Sequence, residues 1–191
     1  MFSSGKSIAA IVVAMMVDKG LLAYAQKVEH YWPEFGKHGK NEITLADVLY
    51  HEAGLQDFNH TLKASNYSRD GIKSNVMSDI IERLEPVWPT RELGCINPDG
   101  SETRRAYHSL SRGWILNEIV RRVHPQHLTI GEIMENEIGI DGIRCGLKEE
   151  EIKNTSPLMC KSLSWLLLQS LTPKGIFIMD KFIRTQIIYF I

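Results

Sequence analysis

The stretch Phe2-Ser3-Ser4-Gly5-Lys6-Ser7, followed by Ile8-Ala9-Ala10-Ile11-Val12-Val13-Ala14-Met15-Met16-Val17 and Asp18-Lys19-Gly20-Leu21-Leu22, decides how the rest of the chain is read. Serine at the front and glycine at the back mark the two ends of a helix over about Ser3 to Lys19. Ser3 or Ser4 can cap its free amides, and Gly20 can take the left-handed conformation that commonly ends a helix. The residues from Ile8 to Val17 include no polar side chain, which predicts a central helix surrounded by structure on every side. Ser3 and Lys6 stand three positions apart, nearly one turn, so their side chains can meet on one face. A hydroxyl at a helix N-terminus reacts beside unpaired amides that favour developing negative charge. A lysine beside it can act as base once burial or positive neighbours bring it below its reference value of about 10.4. By itself S-x-x-K is a weak signal, because serine is an ordinary N-cap.

Further along, Thr44 stands where it can cap a short helix through Leu45, Val48 and Leu49, with His51-Glu52-Ala53-Gly54-Leu55 as its exit. From Gln56 to Gly100 the apolar periodicity weakens, which predicts an elaborated surface segment with one helix around Asn75 to Leu84. A second clear helix is expected over about Ser109 to Val123, with Leu110, Trp114, Ile115, Ile119 and Val120 on one stripe and Arg112, Glu118, Arg121 and Arg122 off it. Thr129 and Glu132 form a capping-box pattern for a further short helix that Gly139 stops. The tail mixes Phe177, Phe182, Ile187, Ile188, Tyr189 and Phe190 with charges and ends on apolar residues. This suggests a missing continuation or a partner, including self-association through exposed apolar surface.

Several segments resemble the serine β-lactamase-related family, which comprises class C β-lactamases, penicillin-binding proteins and esterase-like serine hydrolases. Phe2-Ser3-Ser4-Gly5-Lys6, its apolar helix and the Asp18-Lys19-Gly20-Leu21-Leu22 exit look like that family's nucleophile helix. Ile43-Thr44-Leu45-Ala46-Asp47-Val48-Leu49-Tyr50-His51-Glu52-Ala53-Gly54-Leu55 is similar to its "ITVRDLLSHTSGL" segment. Tyr107-His108-Ser109-Leu110-Ser111-Arg112-Gly113-Trp114 resembles its tyrosine motif in the "YHALTxGW" form. The resemblance implies an α/β fold of the β-lactamase/transpeptidase type, with helices on an antiparallel sheet plus an all-helical region, here truncated and mostly helical. Residues 1–147 are then a partial domain of this kind and 148–191 a divergent or truncated segment.

The resemblance also implies acyl-enzyme chemistry on an ester, amide or peptide bond, with Ser3, Lys6 and Tyr107 as catalytic residues. Ser109 falls where the family's β-lactamases carry asparagine, a substrate-binding position. A short hydroxyl there favours esterase or peptidase chemistry over strong β-lactam hydrolysis. The family's third motif, Lys or His followed by Ser or Thr and Gly on a strand, is absent, since Thr172-Pro173-Lys174-Gly175 has the wrong order and Pro173 opposes a central strand. The competing expectation is therefore a catalytically inactive fragment or divergent homologue with a structural or interaction role.

A net charge of −1 with 24% charged and 43% hydrophobic residues describes an ordinary globular chain, with no basic face for nucleic acid. The ten-residue apolar run is too short to span a membrane, which takes about 20 residues. Cys95, Cys145 and Cys160 are odd in number and widely spaced, and no leader is visible, so reduced thiols and an intracellular location are expected. Gly5-Lys6-Ser7 lacks the first glycine and preceding strand of a P-loop, and His51-Glu52 lacks the second histidine of H-E-x-x-H, where Leu55 stands. The isolated histidines, His30, His60, His124 and His127, have no ligand spacing. No cofactor or metal is implied. His108, beside Tyr107, could contact substrate and otherwise reads as an exposed residue at a helix start, and Arg104-Arg105 and Arg121-Arg122 read as solvated charge.

Overall fold

The computed structural model describes residues 2–58, 62–67, 69–88, 95–96, 102–139, 143–146 and 149–154. The chain divides into two compact units, Met1–Arg144 and Cys145–Ile191. In the second, the described residues contain a 3₁₀ turn over Glu149–Asn154. The apolar stretches after Ser162 and Ile176 lie outside the described residues.

In the first unit a 3₁₀ turn, Phe2–Ser4, leads directly into α1, Gly5–Asp18. Gly20 then reverses the chain with φ +71°, as its position after the apolar run requires. The serines do not cap this helix. Ser4 occupies the N-cap position in a helical conformation with no side-chain bond to the backbone, and the Ser3 hydroxyl bonds elsewhere. Ile8, Ala9, Val12, Val13 and Met16 are buried, with Val12, Val13 and Met16 fully enclosed. The expectation of cover on every side fails, because Ser7, Ile11 and Ala14 form an open stripe on which Ile11 is 56% exposed. Apolar composition records what a helix could bury, whereas the packing of Met1–Arg144 covers only one side of it.

A short α2, Val28–Tyr31, and a 3₁₀ turn over Pro33–Gly36 follow. Lys27 and Thr44 form an antiparallel bridge, with the Val28 amide donating to the Ile43 carbonyl at 2.9 Å. This pins the start of α3, Leu45–Leu49, where Thr44 caps the helix as expected and Asp47 returns the bond to complete a reciprocal capping box. Two helices, α4 (Arg69–Lys73) and α5 (Val76–Glu82), occupy the polar middle segment, where the sequence indicated one. The described strands are two-residue β1, Cys95–Ile96, and β2, Glu102–Thr103, paired antiparallel.

The long α6, Ser111–Val123, packs on α1, α2, α3 and α5 and brings Ile115, Leu116, Ile119 and Val120 into the core. Thr129 and Glu132 cap α7, Ile130–Ile133, which continues as a single π-helical turn, Met134–Ile138, and stops at Gly139 with φ +64°.

The charged side of α6 departs from expectation. Glu118 is completely buried, and its Oε2 accepts from Ser78 Oγ at 2.6 Å, Arg121 at 2.8 Å and Arg122 at 2.7 Å. Arg122 also stacks 4.0 Å above the Trp32 ring, whose Nε1 donates to Glu82 at 2.8 Å. Arg121 and Arg122 are thus internal partners of one carboxylate. Likewise Arg104 joins Asp47 and Glu52, and Arg105 joins Glu52. Glu118 stands about one turn from both arginines, but nothing in the local sequence marks its bond to Ser78, 40 positions away, or the bonds of Arg104 to Glu52 and Asp47, 52 and 57 positions away.

Candidate active site

Two helix starts face each other at the site: the turn that opens α1, carrying Ser3 and Lys6, and the segment that opens α6, carrying Tyr107 to Ser111. Ser3 Oγ lies 2.5 Å from Tyr107 Oη, across 104 positions of sequence. Lys6 Nζ stands 4.9 Å from the centroid of the Tyr107 ring and donates to the main-chain carbonyl of Ser109 at 2.6 Å. The residues singled out in the sequence therefore meet. Ser109 meets Lys6 through its backbone, not its hydroxyl. Tyr107 is 51% exposed, so the serine and phenol oxygens can be approached from solvent.

The charges around the phenol are all positive. Partial burial pushes the Tyr107 phenol up, but the hydrogen bond from Ser3 and the nearby Lys6 and Arg112 cations outweigh this and hold it below its ordinary value of 10. Lowering a phenol this way favours the phenolate that could accept a proton from Ser3.

The tyrosine is held by a histidine clamp that sequence reasoning did not find. His108 is completely buried, contrary to the exposed position expected for it. Its Nδ1 pairs with the Ala106 carbonyl at 2.6 Å and its Nε2 accepts the Leu55 amide at 3.0 Å, which assigns the Nδ1–H tautomer. The His108 amide donates to His51 Nδ1 at 3.0 Å, and the Ala106 amide donates to the His51 carbonyl at 3.0 Å. The Ser111 hydroxyl closes the clamp on the Leu55 carbonyl. Rings of His51 and Tyr107 lie 5.0 Å apart at 46°. Residues 51–55 and 106–111 are in this way stitched together around position 107 of the chain.

Both imidazoles sit well below their usual range. Burial, then the nearby Arg112, His108, Lys6 and Arg105 charges, lowers His51 to about 4. Burial lowers His108 to about 4, with Arg112 adding to the effect and the Ala106 carbonyl opposing it. Each nitrogen that accepts an amide must be unprotonated, so neutrality and geometry agree. The signal available in the sequence was proximity: His51 and His108 lie within the two segments that carry the family resemblance.

The family model described as Beta-lactamase matches residues 1–143, and the chain belongs to that family. The solved structures similar to it have the β-lactamase/transpeptidase-type fold, and the described part of this chain is mainly helical. Among similar proteins, the Esterase/beta-lactamase LipL of Mycobacterium tuberculosis (strain ATCC 25618 / H37Rv) is 30% identical over 149 residues, covering 76% of this chain and 30% of that protein. A crystal structure of a penicillin-binding protein homologue from Caulobacter crescentus matches with a TM-score of 0.67 and 26% identity, over 92% of this chain and 46% of that one. The structure of EstA from Arthrobacter nitroguajacolicus Rue61a matches with a TM-score of 0.57 and 31% identity, over 71% of this chain and 32% of that one. A family VIII carboxylesterase gives a TM-score of 0.58 at 27% identity, over 71% of this chain and 33% of that one. The chain spans less than half the length of each of these relatives.

Among the described residues, no helix is long and apolar enough to cross a membrane, and no group of three or more His, Cys, Asp or Glu is placed to hold a metal. Cys145 is an exposed free thiol.

Proposed function

We propose that the chain carries the acyl-transfer centre of a serine hydrolase acting on an ester, amide or peptide bond, with Ser3 as nucleophile. The reading rests on one observation above others: a serine hydroxyl 2.5 Å from a phenol oxygen, with a lysine ammonium against the same ring. As Ser3 Oγ forms its bond to the carbonyl carbon, its proton passes to the Tyr107 phenolate and the carbonyl π electrons move to oxygen. Collapse of that tetrahedral species breaks the bond to the leaving group, which takes the proton from Tyr107. Water repeats the sequence on the acyl-enzyme and releases the acid and free Ser3. Lys6 stabilises the phenolate by its charge and fixes the α1 and α6 starts together through the Ser109 carbonyl. Ser109, next to Tyr107, is assigned a substrate contact.

The relatives named for esterase and carboxylesterase activity favour an ester substrate, as does serine in place of asparagine at 109. Residues 1–147 are read as part of an α/β domain in which helices flank an antiparallel sheet, with the described helices forming its all-helical region. Residues 148–191 are read as a divergent segment.

The test is labelling of the purified chain with a fluorophosphonate probe, followed by intact-mass measurement. One adduct is expected, and Ser3→Ala should remove it. A folded chain that takes no label would sink the reading and leave a non-catalytic scaffold role.

A further inference from the structure

Arg112, near the start of α6, is 6% exposed, and no carboxylate pairs with it among the described residues. Its Nη1 donates to the Lys6 carbonyl at 3.3 Å, and its buried Nε has no partner. Burying a guanidinium without a counter-charge is strongly unfavourable, and elsewhere this chain avoids it by giving Arg104, Arg105, Arg121 and Arg122 carboxylate partners. The Arg112 side chain lines a half-open pocket of about 310 Å³ whose other walls are Ala10, Tyr24, Ala46, Leu49 and Tyr50. No acidic side chain lines it. Tyr24 and Tyr50, 45% and 61% exposed, are its aromatic walls.

We propose that this pocket is a binding site for a small monocarboxylate with an aromatic body. The carboxylate pairs with Arg112, and the apolar part lies among Tyr24, Leu49 and Tyr50. A guanidinium suits this role because its planar fork meets a carboxylate through parallel N–H bonds, and the apolar walls strengthen that pairing by excluding water. The ligand supplies the negative charge that the protein withholds from Arg112. An anion there also screens the Arg112 charge felt by the Tyr107 phenol, so occupancy is communicated to the neighbouring serine. Binding itself requires no reaction at Ser3 and stands or falls separately from the acyl-transfer reading.

Titration calorimetry with phenylacetate, phenylacetamide and acetate provides the test, on the full chain and on Ser3→Ala. Phenylacetate is expected to bind about tenfold or more tighter than its amide, the size of a charged hydrogen-bonded pair, in both proteins. Arg112→Met should erase that preference, and Arg112→Lys, which keeps the charge but not the fork, should reduce it. Ala46→Phe, which fills the pocket and leaves Arg112 intact, should abolish binding of both aromatic ligands while the melting transition persists. Equal affinity for acid and amide, a preference that survives Arg112→Met, or no binding at all would overturn the proposal. Acetate binding as tightly as phenylacetate would also overturn it, by showing an anion contact without a ligand pocket.

Discussion

Glu118 and Arg112 sit six residues apart on the same helix and are both buried, yet their surroundings are opposite. Around Glu118, one carboxylate oxygen takes three donors, Ser78, Arg121 and Arg122, so positive and negative charge meet within 3 Å. Around Tyr107, Lys6 and Arg112 bring two cations to one phenol, and neither has a carboxylate partner among the described residues. The first arrangement neutralises charge in order to pack helices. The second leaves a positive field in place, which only a developing or bound anion can neutralise. The comparison teaches that buried charge alone does not mark a site: Glu118 is matched by two arginines, whereas two cations converge on the Tyr107 phenol.

The largest expected effect tests the charged pole directly. Tyr107→Phe should slow fluorophosphonate acylation by roughly 10² to 10⁴, the usual contribution of a positioned acid-base group, without moving the melting temperature. In the unchanged protein, the labelling rate should rise with pH and level off below pH 10, because the phenol is held under its ordinary value. A rate that ignores both the substitution and pH would erase the distinction between the two regions.

At the neutral hub the prediction inverts. Glu118→Gln should cost roughly 3 kcal/mol of stability, the lower end for breaking a buried pair, since both arginines reach solvent. Chemical denaturation reads this loss, and the folded fraction should label at the normal rate. If labelling fell in proportion to nothing but Glu118, the hub would belong to the site after all.

A separate, pH-dependent effect concerns the histidine clamp between the segments. His51 and His108 are both lowered from about 6.5 to about 4 in the folded chain, so the unfolded chain binds more protons between those values. Their contribution to stability is therefore complete above about pH 6.5 and is lost progressively as pH falls towards 4. Thermal melts from pH 7 to pH 4 should show the decline. His51→Asn keeps an acceptor near Nδ1 and suits the left-handed backbone at φ +65°, so it should flatten the decline while preserving the fold. The smallest step, Thr129→Ala, removes the hydroxyl from the α7 capping box and should cost about 1 kcal/mol by denaturation. It sets the scale against which the charged substitutions are compared.

What could be read from the sequence was what is local. The Thr44 cap, the Thr129–Glu132 capping box and the Gly20 and Gly139 stops each depend on residues only a few positions away, and all form as expected. The enclosure expected for α1 failed at Ile11 because hydrophobicity does not say how much neighbouring structure is there to cover it. Burial of His108 and the internal contacts of Arg122 were hidden because Leu55, Ser78 and Trp32 are remote in sequence. Ser3 and Tyr107 were paired by family resemblance alone, since no periodicity connects positions 104 apart. Arg112 gave no sign at all: an arginine off the apolar stripe of a helix is ordinary until its missing partner is seen.

The bond from Lys6 to the Ser109 carbonyl has a further consequence for how such a protein can change over time. Every residue type carries that same oxygen, so substitutions at 109 can alter what the side chain offers to an incoming molecule without unfastening the lysine. Position 109 is thereby free to explore chemistry, with the anchor held by the one part of the residue that mutation does not rewrite.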